Sequence, residues 1–175
     1  MAIKLVVLDV DGTLTDGSIS YCSSNIEMKT FNVKDGAILN SLTQLGIEVI
    51  FLTGRKSEAT TKRAQELNIK AIQGVTDKET VLKEYMLEHG ISGENIAYIG
   101  DDINDHNAML LCDFKACPVD AALEIKSICD YVSDHRGGYG AVRDICESLL
   151  HRMGKYEDFL NLFGISRNTS TLDKN

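Results

Sequence analysis

Short apolar runs recur along the chain, and several end in a cluster of Asp, Thr, Gly or Lys. Leu5-Val6-Val7-Leu8 is the first, and four aliphatic residues in a row predict a strand buried on both faces. Similar runs at 47–52, 70–73, 96–99 and 114–117 predict further strands, with Tyr131-Val132 as a short last one. Between them the apolar residues recur at helical spacing. Residues 35–45 predict a helix with Asp35 as N-cap, Gly46 as C-cap and Ile38, Leu42 and Leu45 as its stripe. Further helices are predicted from Ser57 to about Leu67, from Asp77 to about Glu88, through Met109 and Leu111, and at 123–128. Strands that alternate with helices over short connections predict a doubly wound, mostly parallel α/β sheet of Rossmann-like character.

One segment breaks the alternation. Residues 18–22 and 27–31 pattern as two strands around polar Ser23-Ser24-Asn25, ahead of any crossover helix. The expectation is a hairpin insertion spanning 17–32 that projects from the sheet. Its Ile19, Tyr21, Met28 and Phe31 would be covered by other subunits, and the alternative is a lid over its own site. An amphipathic stretch at 155–163 predicts one more helix, to pack on the oligomer or on its own domain. The polar end, 166–175, lacks periodicity and is expected to be a disordered tail. With 175 residues, the expectation is one domain over 1–165.

Charge and cysteine content narrow the function classes. A formal net charge of −8 excludes a phosphate-backbone partner, though it leaves room for a local basic pocket. No apolar run is long enough to span a membrane. Met1 leads almost directly into the first strand without a signal-peptide pattern, so a cytoplasmic protein is expected. Cys22, Cys112, Cys117, Cys129 and Cys146 lack metal-ligand spacing and read as reduced thiols.

The candidate chemistry sits where strands end, and in an open parallel sheet those carboxyl ends share one edge. Asp9 and Asp11 follow the first strand, and pleating sends both to one side. Two neighbouring carboxylates call for a cation, and Mg²⁺ suits an oxygen-rich site. Asp9 is the candidate nucleophile and Asp11 the candidate proton donor and acceptor. Thr53 offers a hydroxyl to phosphoryl oxygens, with Gly54 beside it. Lys78 stands in the first turn of a helix, where ammonium and dipole can both meet an anion. Asp101, Asp102 and Asp105 crowd one loop, of which Asp101 is the candidate metal ligand. Asp102, Asp105 and His106 receive no assigned role, and none of the four histidines has ligand spacing.

Asp9-Val10-Asp11-Gly12-Thr13-Leu14, Thr53-Gly54-Arg55, Lys78 and Gly100-Asp101-Asp102-Ile103-Asn104-Asp105 together resemble the four motifs of haloacid dehalogenase-like phosphatases. Phe31-Asn32-Val33-Lys34-Asp35-Gly36 and Arg136-Gly137-Gly138-Tyr139-Gly140-Ala141-Val142-Arg143 resemble its capless branch of 3-deoxy-D-manno-octulosonate 8-phosphate phosphatases. The likeness runs over about residues 4–150. It implies a haloacid dehalogenase-like core without a cap domain, and a homotetramer whose hairpins form a central barrel. It also implies Mg²⁺ held by Asp9, the backbone carbonyl of Asp11 and Asp101. An aspartyl-phosphate on Asp9 is the implied intermediate, in the hydrolysis of a phosphorylated 2-keto-3-deoxy sugar acid for lipopolysaccharide.

Arg55 and Arg63 offer forked donors suited to the substrate carboxylate, and Arg136 could reach a neighbour's site. Thr-Gly-Arg with a second arginine eight residues later resembles the eight-carbon branch, whereas some nine-carbon-acid phosphatases carry glutamate in place of Arg55. A nine-carbon ulosonic acid 9-phosphate is the alternative substrate. A non-catalytic oligomerisation module, like the C-terminal domains of sialic acid cytidylyltransferases, is the alternative class.

Overall fold

The computed structural model describes residues 2–23 and 26–166, so most of the expected tail lies outside the described residues. Fifteen elements follow the sequence. β1 (Leu5–Leu8), β2 (Ser20–Tyr21) and β3 (Glu27–Met28) precede α1 (Val33–Gln44). Then come β4 (Glu48–Thr53), α2 (Glu58–Glu66), β5 (Lys70–Gln73), α3 (Lys78–His89) and β6 (Ile96–Ile99). α4 (His106–Met109), β7 (Phe114–Cys117), α5 (Leu123–Ile128), β8 (Tyr131–Val132), α6 (Ala141–Arg152) and α7 (Tyr156–Asn161) complete the chain.

The main sheet has the order β5-β4-β1-β6-β7-β8, and every pairing in it is parallel. β1 lies at its centre, which explains why its sequence is apolar at every position. Val6 and Leu8 face one core with α1, α6 and α7, whereas Leu5 and Val7 face a second core with α3, α4 and α5. Helices therefore cover both faces, as the pattern predicts. No second domain stands over the carboxyl edge among the described residues. None of the described helices is long and apolar enough to cross a membrane.

Local details depart from the sequence expectations for identifiable reasons. The N-cap of α1 is Asn32, whose side chain accepts the Lys34 N–H at 2.8 Å, rather than Asp35. Asp35 is buried inside the first turn and accepts the Arg143 N–H at 2.8 Å, so its carboxylate serves the start of α6 instead. The helix expected at 155–163 is the shorter α7, and it packs on its own domain. Phe159 joins the core behind α6, and Tyr156 stacks on His151 with ring centroids 3.8 Å apart.

The hairpin insertion is present, but its strands are shorter than expected, with only two residue pairs in register. Its return strand alternates: Glu27, Lys29 and Phe31 are half-buried, while Ile26, Met28 and Thr30 are exposed. One face thus turns toward its own domain. The other presents Ile19, Tyr21, Ile26 and Met28 to solvent.

Candidate active site

β1, β4 and β6 end side by side, and the loops that follow them enclose a cleft of about 190 Å³. Asp9, Asp11, Thr53, Gly54, Arg55, Asp102 and Asn104 line it. Asp9 is fixed in place by its own N–H, which donates to the Ile99 carbonyl at 2.9 Å and so extends the β1–β6 ladder by one residue. The chain then turns sharply at Gly12, where φ is +97° and a Cβ would collide with the Asp101 carboxylate. That close approach brings the first and fourth motifs together. Gly137 tightens it from above, since a Cβ there would strike the Gly12 carbonyl. The Gly138 N–H donates to the Thr13 carbonyl at 3.2 Å, so the glycine-rich loop before α6 braces the nucleophile loop.

Behind the cleft stands a buried charge cluster. Lys78, capped into the first turn of α3 by Asp77, donates to Asp9 Oδ1 at 2.6 Å and to Asp105 Oδ1 at 2.7 Å. Tyr98 on β6 donates its hydroxyl to the same Asp105 oxygen at 2.8 Å. Asp105 Oδ2 accepts the N–H groups of Asp101 and Asp102, at 3.1 and 3.4 Å. Asp105 is therefore fully engaged as the group that aims Lys78 and shapes the fourth loop. Asp102 caps the short 3₁₀ turn that follows, accepting the Ile103 N–H at 2.8 Å. Thr13 donates to Asp101 Oδ1 at 2.8 Å, which leaves the second Asp101 oxygen for a ligand.

The electrostatics show what is missing from this balance. Burial, and then the charge of Asp105, push the Asp9 carboxyl up to about 6 although Lys78 opposes them. Burial and the charge of Asp9 push Asp101 up to about 8, against the hydrogen bond from Thr13. Burial works against the charge on Lys78, but Asp9 and Asp105 outweigh it and raise its pKa. Oxygens of Asp9, Asp101 and Asp105 converge within 4.8 Å, with one ammonium against three carboxylates. A hard divalent cation fits this donor set in charge and in oxygen content. Because Asp105 has both oxygens engaged, Asp9 and Asp101 are the carboxylates able to hold it.

A second buried ammonium, not foreseen from the sequence, faces the other side of the cleft. Lys29, just beyond β3, pairs with Asp11 Oδ1 and lies 3.3 Å from Glu27 Oε1, its side chain only 2% exposed. Glu27 Oε2 in turn accepts from Arg55 at 2.6 Å. That hydrogen bond leads the causes that hold the Glu27 carboxyl down at about 2. The alternation of Glu27, Lys29 and Phe31 on one face was the available signal, because it puts charged residues on the same side as an apolar anchor. Asn104 was also passed over, as a residue between two aspartates.

The remaining arginines lie elsewhere. Arg63 does not reach the cleft: it donates to the Asn32 carbonyl at 3.3 Å and sits over the Phe31 ring, so it secures the return of the hairpin. Arg136 is largely exposed, and its Nε donates to Asp120 at 3.2 Å. Among the expected substrate-binding residues, only Gly54 and Arg55 line the cleft.

Comparison with known proteins fits this geometry. Residues 71–143 match the haloacid dehalogenase-like hydrolase family. The chain is 34% identical over 171 residues to the 3-deoxy-D-manno-octulosonate 8-phosphate phosphatase of Haemophilus influenzae, covering 97% of this chain and 95% of that protein. It is 36% identical over 157 residues to the protein of the same name from Escherichia coli K12, covering 89% and 84%. The crystal structure of that phosphatase from Moraxella catarrhalis, in complex with a magnesium ion, a phosphate ion and KDO, superposes with a TM-score of 0.88. The two chains are 40% identical, with 92% of this chain and 93% of that one covered. A cobalt-bound form from Haemophilus influenzae superposes with a TM-score of 0.86 at 36% identity, covering 93% and 95%.

Proposed function

The chain belongs to the haloacid dehalogenase-like hydrolases, in the branch of 3-deoxy-D-manno-octulosonate 8-phosphate phosphatases, and on that premise we propose how its residues divide the work. The reaction is hydrolysis of 3-deoxy-D-manno-octulosonate 8-phosphate to the free sugar acid and phosphate. The observation that carries the assignment is the buried Asp9–Lys78–Asp105 cluster beside Asp101 at the carboxyl end of the central strand.

Asp9 is the nucleophile. Its free oxygen bonds to phosphorus as the bond from phosphorus to the sugar oxygen breaks, and Asp11 gives that oxygen a proton. Water then attacks phosphorus, Asp11 takes its proton, and the acyl-phosphate bond to Asp9 breaks. Lys78 faces Asp9 and the phosphoryl oxygens, while Asp105 and Tyr98 keep it there. Thr53 and Gly54, at the end of β4, bind the phosphoryl group from the far wall of the cleft. Mg²⁺ is the cofactor; Asp9, Asp101 and the Asp11 carbonyl would hold it, and when bound it would neutralise charge on the phosphoryl oxygens. Arg55 is the residue placed to meet the sugar carboxylate. Arg63 and Arg136 support the site within a single chain through the hairpin and the glycine-rich loop.

The test is phosphate release with Mg²⁺ from the eight-carbon and nine-carbon ulosonate phosphates, side by side. Preference for the eight-carbon acid is expected. Preference for the nine-carbon acid would keep the mechanism but reassign the substrate, and no release from either would favour a non-catalytic module.

We also read the exposed hairpin face, Ile19, Tyr21, Ile26 and Met28, as the contact of a homotetramer. Replacing both Ile19 and Met28 with Glu is expected to yield a smaller assembly in light scattering, and an unchanged tetramer would refute this reading. Cys112, Cys117, Cys129 and Cys146 stand as thiols, which suits a cytoplasmic, reducing setting.

A further inference from the structure

A buried ammonium just beyond a two-residue strand needs a reason. Ordering a lysine costs about 2 kcal/mol of side-chain entropy, and removing its charge from water costs more unless carboxylates meet it. Lys29 is met by two, Asp11 and Glu27. Nothing in the hairpin's own fold requires this, because its strands pair through backbone groups and Phe31 anchors its return. The residue Lys29 acts upon is Asp11, and it does so through one oxygen. Asp11 Oδ1 carries the ion pair, while Asp11 Oδ2 is buried without a hydrogen-bond partner among the described residues. An acceptor left unpaired in a closed site costs on the order of 1–3 kcal/mol. The Lys29 ion pair is what holds this carboxylate on the loop after β1.

We propose that Lys29 is a positioning residue for the proton transfers of this reaction: it pins the Asp11 carboxylate at the wall of the cleft through Oδ1. This rests on the assignment of Asp11 as the group that protonates the leaving oxygen and later deprotonates water. Glu27 has the complementary task. It offsets part of the Lys29 charge, and through Arg55 it ties the position of Lys29 to the wall of the cleft. The hairpin thereby contributes to the chemistry of its own subunit as well as offering an outer apolar face.

The leaving group provides the test. p-Nitrophenolate leaves without a proton at neutral pH, whereas a sugar alkoxide cannot, and a well-placed acid is worth about 10²–10⁴-fold for the latter. Lys29→Met is expected to lower kcat for the sugar-acid phosphate by roughly 10- to 100-fold, part of that range. KM should change little, and in a single turnover, which reads phosphoryl transfer to Asp9 alone, release of p-nitrophenolate should slow by no more than about threefold while release of the sugar acid keeps the full loss. Lys29→Arg, which restores a cation, should bring the ratio of the two rates back toward the wild-type value. If the Met variant does not fold, Lys29→Gln keeps a polar group in the buried position, one bond shorter, and the same selective loss is expected. Equal losses on both substrates in that single turnover, or no loss on either, would overturn the proposal. Asp11→Asn, in the same single-turnover measurement, separates this from failure of the underlying assignment. If that variant also shows no selectivity for the sugar-acid phosphate, the role of Asp11 is wrong. If it shows selectivity while the Lys29 variants do not, only the role of Lys29 is wrong.

Discussion

Two buried lysines in this molecule do the same thing in different surroundings. Lys78 bridges Asp9 and Asp105, and Lys29 bridges Asp11 and Glu27. Each ammonium serves one of the two reacting aspartates. Lys78 projects from a twelve-residue helix packed on the central sheet, and its partners stand at the ends of β1 and after β6. Lys29 stands beyond a two-residue strand of a hairpin whose outer face is open to solvent. In the proposed mechanism the helix side carries the nucleophile and the hairpin side the acid–base. One bridge is built into the core of the domain and the other into a projecting element, and each holds its aspartate.

The difference can be broken most forcefully at Lys78. Lys78→Met removes the buried cation of its cluster and leaves three carboxylates facing one another. A loss of phosphate release of roughly 10²–10³-fold or more is expected, with a fall of about 3–5 kcal/mol in urea-unfolding stability. A stable, active variant would mean that the cluster is not the catalytic centre.

Metal binding should sharpen the contrast from the same side. Asp9 and Asp101 titrate near 6 and near 8 in the folded chain, against 3.8 in the unfolded one. Folded carboxyls raised in this way favour the fold below 3.8, and that stability is lost as pH rises through about 6 and about 8. A cation held by the ionised pair opposes that loss. The stabilisation by a fixed concentration of Mg²⁺, read as a rise in thermal midpoint, should therefore be small at pH 5 and grow toward pH 8, where a hundred times Kd corresponds to about 3 kcal/mol. A gain independent of pH would exclude these two carboxylates as ligands.

At Lys29 the thermodynamic effect should be smaller than the kinetic one. A short hairpin can open locally without unfolding the sheet, so Lys29→Met should change global stability by only about 1 kcal/mol. Hydrogen exchange should find the β2–β3 amides far less protected than those of β1. Equal protection would show that the hairpin belongs to the same cooperative unit as the core.

The smallest expected effect lies at Arg55, whose side chain is two-fifths exposed in its pair with Glu27. Arg55→Ala should cost less than about 1 kcal/mol of stability. It should nonetheless raise KM for the carboxylated substrate while leaving that for p-nitrophenyl phosphate unchanged. A matching rise for both would remove Arg55 from carboxylate recognition.

Most of the helix-side site was legible in the chain. Leu5–Leu8 had to be a central strand because it is apolar on both faces, and a parallel strand presents its chemistry at its carboxyl end. That reasoning placed Asp9, Asp11, Thr53, Lys78 and Asp101 on one edge, and the structure brings them to one cleft and the charge cluster behind it. The hairpin side was only half legible. Alternation predicted two strands, but the inward face looked like a generic mixture of charge and bulk. Alternation with Phe31 turns Lys29 inward, but nothing local says that the group it meets is Asp11, eighteen residues away in the chain.

What the sequence determined by itself were the properties set by neighbours within a strand or a helical turn. The order of elements, the parallel sheet and the polar residues at its strand ends all follow from periodicity and hydrophobicity over a few positions. Only the tertiary structure decided which charges meet. It took Asp35 from the start of α1 to hold α6, and it turned Arg63 to the back of the hairpin. It also buried Asp105 behind Lys78 and brought Lys29 onto Asp11. These pairings join segments that neither helical nor strand period relates. Their energies depend on burial and on every other charge nearby, which no local pattern contains.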